Sequence, residues 1–225
     1  MVRGMENRVA VIIGAGPGLG AAVARKLGQA GFAIALIARD EQRLTQLGEA
    51  LQAEDITVGW TAVDVTDSDE LAAAVTRFGG FSGQIDVLHH NAVAFRSAPA
   101  SSLSAADLLA DVAVGTASML TSATAALPFM QPGGLVLATG GGSADHPMTS
   151  AASLGVQKAA LRNLVTALDR DLRKRGIRAA SLTVNGTIAA GTPFAPERIA
   201  DAFFELVSAA GDAGDDWQPE VPFNG

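Results

Sequence analysis

The 225 residues contain no cysteine and no tyrosine. Without thiols there are no disulfides, no thiolate metal ligands and no sulfur nucleophile, so any redox chemistry needs a borrowed cofactor. Without a phenol, a proton donor must come from another side chain or from water. Basic residues are also scarce: 16 Lys and Arg stand against 23 Asp and Glu, for a formal net charge of −7. No basic stripe exists to release counterions from a phosphate backbone, which argues against nucleic acid as a partner. The opening MVRGMENRVAVIIGAG carries an apolar run of only about six residues before its glycines, too short for a signal-peptide core or a bilayer span. A cytoplasmic protein without membrane contact is expected.

What is present is 48% hydrophobic residues, enough for one sizeable core, so residues 1–225 are expected to form a single domain. Short β-branched runs read as strands: Arg8 to Gly14, Phe32 to Ala38, Thr57 to Val65, Ile85 to Ala92, Gly133 to Gly142 and Ile177 to Gly186. Helical patterns alternate with them, including one long Ala/Ser-rich stretch from Leu103 to Met130 and a fifth helix from about Ser150 that stops at Gly176. This alternation implies βαβ units, an α/β fold with a parallel sheet covered by helices on both faces. The acidic, glycine-bearing segment after Ala209 reads as a loop leading to a short final strand or tail.

His89 and His90 invite a metal reading. Adjacent strand residues point to opposite faces, however, and no acidic or histidine partner has suitable spacing, so core packing or a place near a cofactor is the better expectation.

The loop VIIGAGPGLGAAVARKL sets Gly14, Gly16, Gly18 and Gly20 between the first strand and the first helix, with Leu19 among them. Such glycines let a backbone turn sharply and approach a pyrophosphate, where a helix N-terminus offers unpaired N–H groups. The spacing Gly14-x-x-x-Gly18-x-Gly20 resembles the short-chain dehydrogenase/reductase family. So do AVDVTD, with Asp64 and Val65; HNAVA, with Asn91 and Ala92 matching and Val93 where glycine is usual; and KAALRNLVTALDRDLRKRGIR.

The resemblance implies a Rossmann-type doubly wound, three-layered sheet and a nicotinamide cofactor. Asp64 and Val65 would meet the adenine; Gly186, Thr187 and Ile188, with Thr192, would meet the far end of the dinucleotide. The second strand ends LIARD, with neutral Ala38 where an NAD enzyme wants an acid and Arg39 after it, so NADP(H) is favoured over NAD(H). Asp40 stands one residue late and either points away or caps the next helix.

In the resembling family a Ser, a Tyr, a Lys and a helical Asn carry the proton. Lys158 matches the Lys and would hold the nicotinamide ribose, but Leu154 occupies the Tyr position, Gly140 the Ser position, and no Asn occurs between Asn91 and Asn163. Ser143 and His146 lie between the fifth strand and Lys158 and are the replacement donors, His146 because imidazole is the side chain type suited to proton transfer near neutrality. The short stretch from Gly186 to Pro196 implies a reduced lid over an open, apolar pocket walled by Phe95, Met148 and Phe194. Two readings stay open: an NADP-dependent oxidoreductase acting on an unidentified small carbonyl, alcohol or activated alkene, or a catalytically silent NADP(H) sensor. The resemblance further implies a homodimer or homotetramer paired through the helices near Leu103 to Leu127 and Ala151 to Leu172.

Overall fold

Along β1 (Val9–Ile13) every residue is buried, and alternate side chains enter different cores: Ala10 and Ile12 on one face, Val9, Val11 and Ile13 on the other. A strand apolar on both faces must be covered on both, which places β1 at the centre of a sheet. The computed structural model describes residues 8–211, 214 and 216–225. In it β1 is flanked by β2 (Ala33–Ala38) and β4 (Val87–His90). Outward lie β3 (Val58–Ala62) on one side and β5 (Leu135–Gly141), β6 (Arg178–Val184) and β7 (Glu220–Phe223) on the other. All pairs are parallel, in the order β3-β2-β1-β4-β5-β6-β7.

One layer of helices comprises α1 (Leu19–Gln29), α2 (Glu41–Gln52) and α7 (Pro196–Ala210), whose Leu27, Leu51 and Phe203 fill the first core. The other comprises α3 (Ser68–Ser82), α5 (Ser118–Ala126) and α6 (Ala152–Leu172), which supply Leu71, Met119 and Val165 to the second. The chain winds one way from β1 to β3 and the other way from β4 to β7, so the switch point lies between β1 and β4, where open α/β sheets bind ligands. The expected three-layered, doubly wound α/β architecture is what the chain adopts.

Asp40 accepts a hydrogen bond from the Arg43 amide at 3.0 Å, so it caps α2. Gly176 ends the α6 segment at φ +69°, which a β-carbon disfavours. The stretch from Leu103 to Met130 is not one regular helix. It divides into α4 (Ala105–Val112), a π turn over Ala113–Ala117, α5, and a 3-10 turn over Leu127–Phe129. Ala105–Phe129 is long and apolar enough to cross a bilayer by length and composition alone, yet its Met119, Ala123 and Ala126 sit in the core beneath the sheet.

After β6, residues 185–195 form a short loop without a helix. The C-terminal segment is tied back by Arg178, which donates to Asp169 at 2.9 Å and to the Gly214 carbonyl at 3.0 Å. Burial alone would raise the Asp169 carboxyl, but Arg178, the Ala179 amide and Arg173 together hold it below the usual range. Residues 1–7, read as carrying no targeting signal, and residues 212, 213 and 215 of the acidic loop lie outside the described residues.

Candidate functional site

The switch point opens into a cavity of about 640 Å³. Gly14 leaves β1 at φ +81°, and a β-carbon there would stand 2.6 Å from the Ala92 nitrogen past the end of β4, so the turn from β1 to α1 admits only glycine at this position. Gly20 is fixed similarly, against the Gly14 carbonyl. Gly16 and Gly18 differ: a β-carbon on either meets nothing within 4 Å. Their smallness answers no need of the protein's own packing and leaves room over the loop. Beyond them α1 begins at Leu19, capped by Gly18 with no side-chain bond and with no acid in its first turn, so its leading N–H groups and positive dipole end keep their capacity for an anion.

The cavity is lined by Gly14, Gly16, Arg39, Asp64, Val65, Asn91 and Ala92 of the residues singled out from sequence. Bonds from the Thr66 amide at 2.9 Å and hydroxyl at 2.8 Å hold the Asp64 carboxyl below the usual range. Arg43, Thr66, Ala94, Arg96, Asp111 and Val114 also line it and were not anticipated. Arg43 had a legible signal, being a second cation in the first turn of α2, three residues past its cap Asp40 and close behind Arg39. It is exposed, with its Nε 3.3 Å from Asp40. Arg96 grips Asp111 with two bonds of 3.0 Å and Asp107 with a third at 2.9 Å; the Arg96 bonds hold the buried Asp111 carboxyl below its ordinary range.

Other expected site residues lie elsewhere. The Leu19 side chain belongs to the first core. Gly186, Thr187 and Ile188 are exposed beyond β6, outside the cavity lining, and Gly186 packs beneath the Phe194 ring. Phe95 does wall the cavity, whereas Phe194 stacks edge-on against Phe223 at 5.9 Å and Met148 is exposed and absent from the lining. Ser143 is half-buried in a 3-10 turn over Gly142–Ala144, and His146 is exposed two residues beyond it.

Behind the cavity a buried polar chain joins β1, β4, β5 and α6. Asn91 donates to the Gly14 carbonyl at 3.0 Å and accepts from the Thr139 hydroxyl at 2.8 Å. That hydroxyl has one hydrogen, so the contact from His89 Nε2, at 3.0 Å, requires the proton on Nε2. His90 follows the same logic: Ser118 gives its proton to the Val114 carbonyl at 2.6 Å, so His90 Nε2 donates to Ser118 at 2.7 Å. The two imidazoles point to opposite faces, His89 against Phe203 and His90 against Ser118 on α5. Burial, reinforced by the charge of Lys158, pushes both down to about 3, so both are neutral.

Lys158 is no surface lysine. It is 7% exposed, and its Nζ donates to the Thr139 carbonyl at 2.7 Å. Burial pushes it down to about 8. One of its three N–H donors is thereby used. The geometry also corrects the alignment of the missing serine. A β-carbon at Gly140 would stand 3.0 Å from the Leu182 carbonyl, into β6, whereas one at Gly141 would lie in ordinary contact with the Lys158 side chain, 3.6 Å away. Gly141, not Gly140, faces Lys158.

The short chain dehydrogenase family matches residues 8–197. An uncharacterised oxidoreductase of Staphylococcus saprophyticus is 29% identical over 182 residues, covering 80% of this chain and 78% of its own. Among solved structures, a dehydrogenase/reductase from Sinorhizobium meliloti superposes with a TM-score of 0.87 at 23% identity, covering 97% of this chain and 94% of its own. A metagenomic short-chain oxidoreductase in complex with NADP gives 0.83 at 27% identity, covering 96% of each.

Proposed function

The chain belongs to the short-chain dehydrogenase family, and on that premise we propose that it is an NADP(H)-dependent oxidoreductase of small carbonyls, alcohols or activated alkenes with a proton donor other than tyrosine. The observation that carries the reading is the glycine loop, in which Gly16 and Gly18 stay open to a β-carbon while the uncapped N-terminus of α1 stands behind them. The residues fit the dinucleotide. Gly14 to Gly20 hold its pyrophosphate, Asp64 and Val65 its adenine, Asn91 and Ala92 its adenosine side. Arg39, joined by Arg43, meets the 2′-phosphate, since a guanidinium matches a phosphate in charge and geometry. Lys158 would turn its remaining N–H donors to the nicotinamide ribose, and Gly186, Thr187 and Ile188, exposed beyond β6, would meet that end of the dinucleotide. The NADP carried by the metagenomic relative agrees with this choice of cofactor.

When bound, the nicotinamide supplies or accepts the hydride. This chain's residues contribute alignment, exclusion of water at the loop and a proton to the substrate oxygen. Ser143 donates a hydrogen bond to that oxygen, and the proton comes from His146 or from water reaching an open pocket. Loss of a positioned acid costs a factor of about 10² to 10⁴, and alignment alone retains part of the acceleration.

A second reading is a silent NADP(H) sensor. It is favoured by the polar contacts around the site: Lys158 spends a donor on Thr139, while His146, the one imidazole among the candidate donors, is exposed. Both readings place the protein in the cytoplasm, acting on small molecules as a homodimer or homotetramer. Exposed Leu109, Leu120 and Val156 on α4, α5 and α6 support pairing through those helices.

Titration with NADPH, followed by the fluorescence of Trp60 and Trp217 and then by a carbonyl and quinone panel, tests both. Saturable binding with turnover supports the oxidoreductase. Binding without turnover, in the wild-type chain and in Lys158→Ala alike, leaves the sensor. No binding at millimolar NADPH sinks both.

A further inference from the structure

Gln157 precedes Lys158 on α6 and is wholly buried, yet nothing in the proton chemistry needs it. Its amide engages both backbone groups of Ala94: Oε1 accepts from the Ala94 nitrogen at 3.1 Å, and Nε2 donates to the Ala94 carbonyl at 3.0 Å. Nε2 also reaches the Ser153 carbonyl at 3.3 Å. A two-point grip of this kind fixes a residue as a neighbouring strand would, and here it falls in the segment whose Val93, Ala94, Phe95 and Arg96 wall the cavity. A second pin lies four residues on, where the Ala98 carbonyl accepts from the Ala152 amide at 3.0 Å.

The grip has a steric precondition. Gly115, in the π turn between α4 and α5, lies so close that a β-carbon there would meet the Gln157 Oε1 at 2.3 Å. Thr116 meanwhile donates to the Gln157 backbone carbonyl at 3.2 Å, holding that turn against α6. Val114, on the near side of Gly115, lines the same cavity. One buried residue, through its side-chain amide and its backbone carbonyl, therefore ties together the helix that carries Lys158, the π turn and the wall over the nucleotide loop.

We infer that Gln157 is a positioning residue that sets the Val93–Arg96 wall for the dinucleotide, and that Gly115 exists at its position to admit the Gln157 amide. The inference rests on the reading of the cavity as a dinucleotide site. Two buried hydrogen bonds are worth about a factor of ten in affinity when their loss releases the wall.

Four proteins test it: the wild-type chain, Gln157→Ala, Gly115→Ala, and the double variant. NADPH affinity is read by tryptophan fluorescence, stability by the thermal midpoint, and the wall by amide hydrogen exchange at Ala94. Gln157→Ala weakens NADPH binding about tenfold and speeds Ala94 exchange. Gly115→Ala does the same and also lowers the midpoint, because its methyl group expels the amide. In the double variant the clash is gone, so the midpoint recovers relative to Gly115→Ala while affinity stays about tenfold down. A purely structural role predicts instead that affinity returns with the midpoint, and that result overturns the inference, as does wild-type affinity in Gln157→Ala. Wild-type chain that binds no NADPH, with Ala94 exchange still faster in the variants, removes the dinucleotide reading and the inference with it. Wild-type binding with unchanged variants removes the inference alone.

Discussion

At the C-terminal ends of β1, β2, β3 and β4 the groups that face the cavity are backbone atoms, small residues and a few charged tips: Gly14, Gly16, Arg39, Asp64 and Asn91. At the end of β5 and the start of α6, the positions that would carry proton chemistry hold Gly141 and Leu154, and the one buried cation, Lys158, spends a donor on Thr139. The first region needs a shape, and a shape is written in where side chains are missing. The second needs particular functional groups, and these can be lost without disturbing the sheet, because neither a glycine at the end of β5 nor a leucine on α6 strains the fold. On the proposed function, recognition of the nucleotide and transfer of the proton fall to separate regions, and each region can be changed alone.

The sharpest way to break the contrast is to supply the second region with what it lacks. Gly141→Ser combined with Leu154→Tyr is expected to raise carbonyl reduction by a factor on the order of 10² to 10⁴, with NADPH affinity unchanged. The β-carbon at Gly141 has room beside Lys158. A double variant as slow as the parent means that the limit lies in substrate binding and not in the acid.

The converse change attacks the first region. Gly16→Val puts a side chain into space that the protein leaves open, so the thermal midpoint holds while NADPH affinity drops by a factor of about 10 to 100, the usual cost of overpacking a fitted site. A midpoint that falls with the affinity ascribes the glycine to folding. Reversing the cations comes next: Arg39→Glu with Arg43→Glu is expected to weaken NADPH about tenfold and leave NADH nearly untouched, measured by paired titrations. Equal loss for both cofactors contradicts a role at the 2′-phosphate.

The smallest effect is confined to alkaline pH. Folded Lys158 gives up its proton near pH 8, while in the unfolded chain it keeps it to about 10.5. Between those values the unfolded chain binds more protons, so stability climbs with pH, and below pH 8 the full cost of burying the charge is present. Urea midpoints at about pH 7.5 and about pH 9.5 should therefore rise in the wild-type chain and stay flatter in Lys158→Met. A slope that survives the substitution belongs to another group.

Much of this was legible along the chain. The β-branched runs between glycines marked six of the strands, the glycine spacing marked the loop, and the absence of tyrosine was a fact of composition. Periodicity marked Leu103 to Met130 as a long helical region without showing how it divides, because the π turn at Ala113–Ala117 preserves helical hydrophobicity while adding a residue to one turn. The serine position slipped by one residue for a related reason. Successive side chains on β5 face opposite sides, so Gly140 and Gly141 are equivalent by spacing but face β6 and Lys158 respectively.

The sequence by itself determined the class of fold, the glycine loop and the groups that are not there, since each follows from local pattern or from counting. Tertiary structure alone decided that Lys158 is buried, that Arg43 joins Arg39 at the cavity, and that Gln157 holds Ala94 across 63 positions of chain while resting on Gly115. Those facts depend on which surfaces of distant elements meet when the two helical layers close on the sheet, and no local window contains both partners.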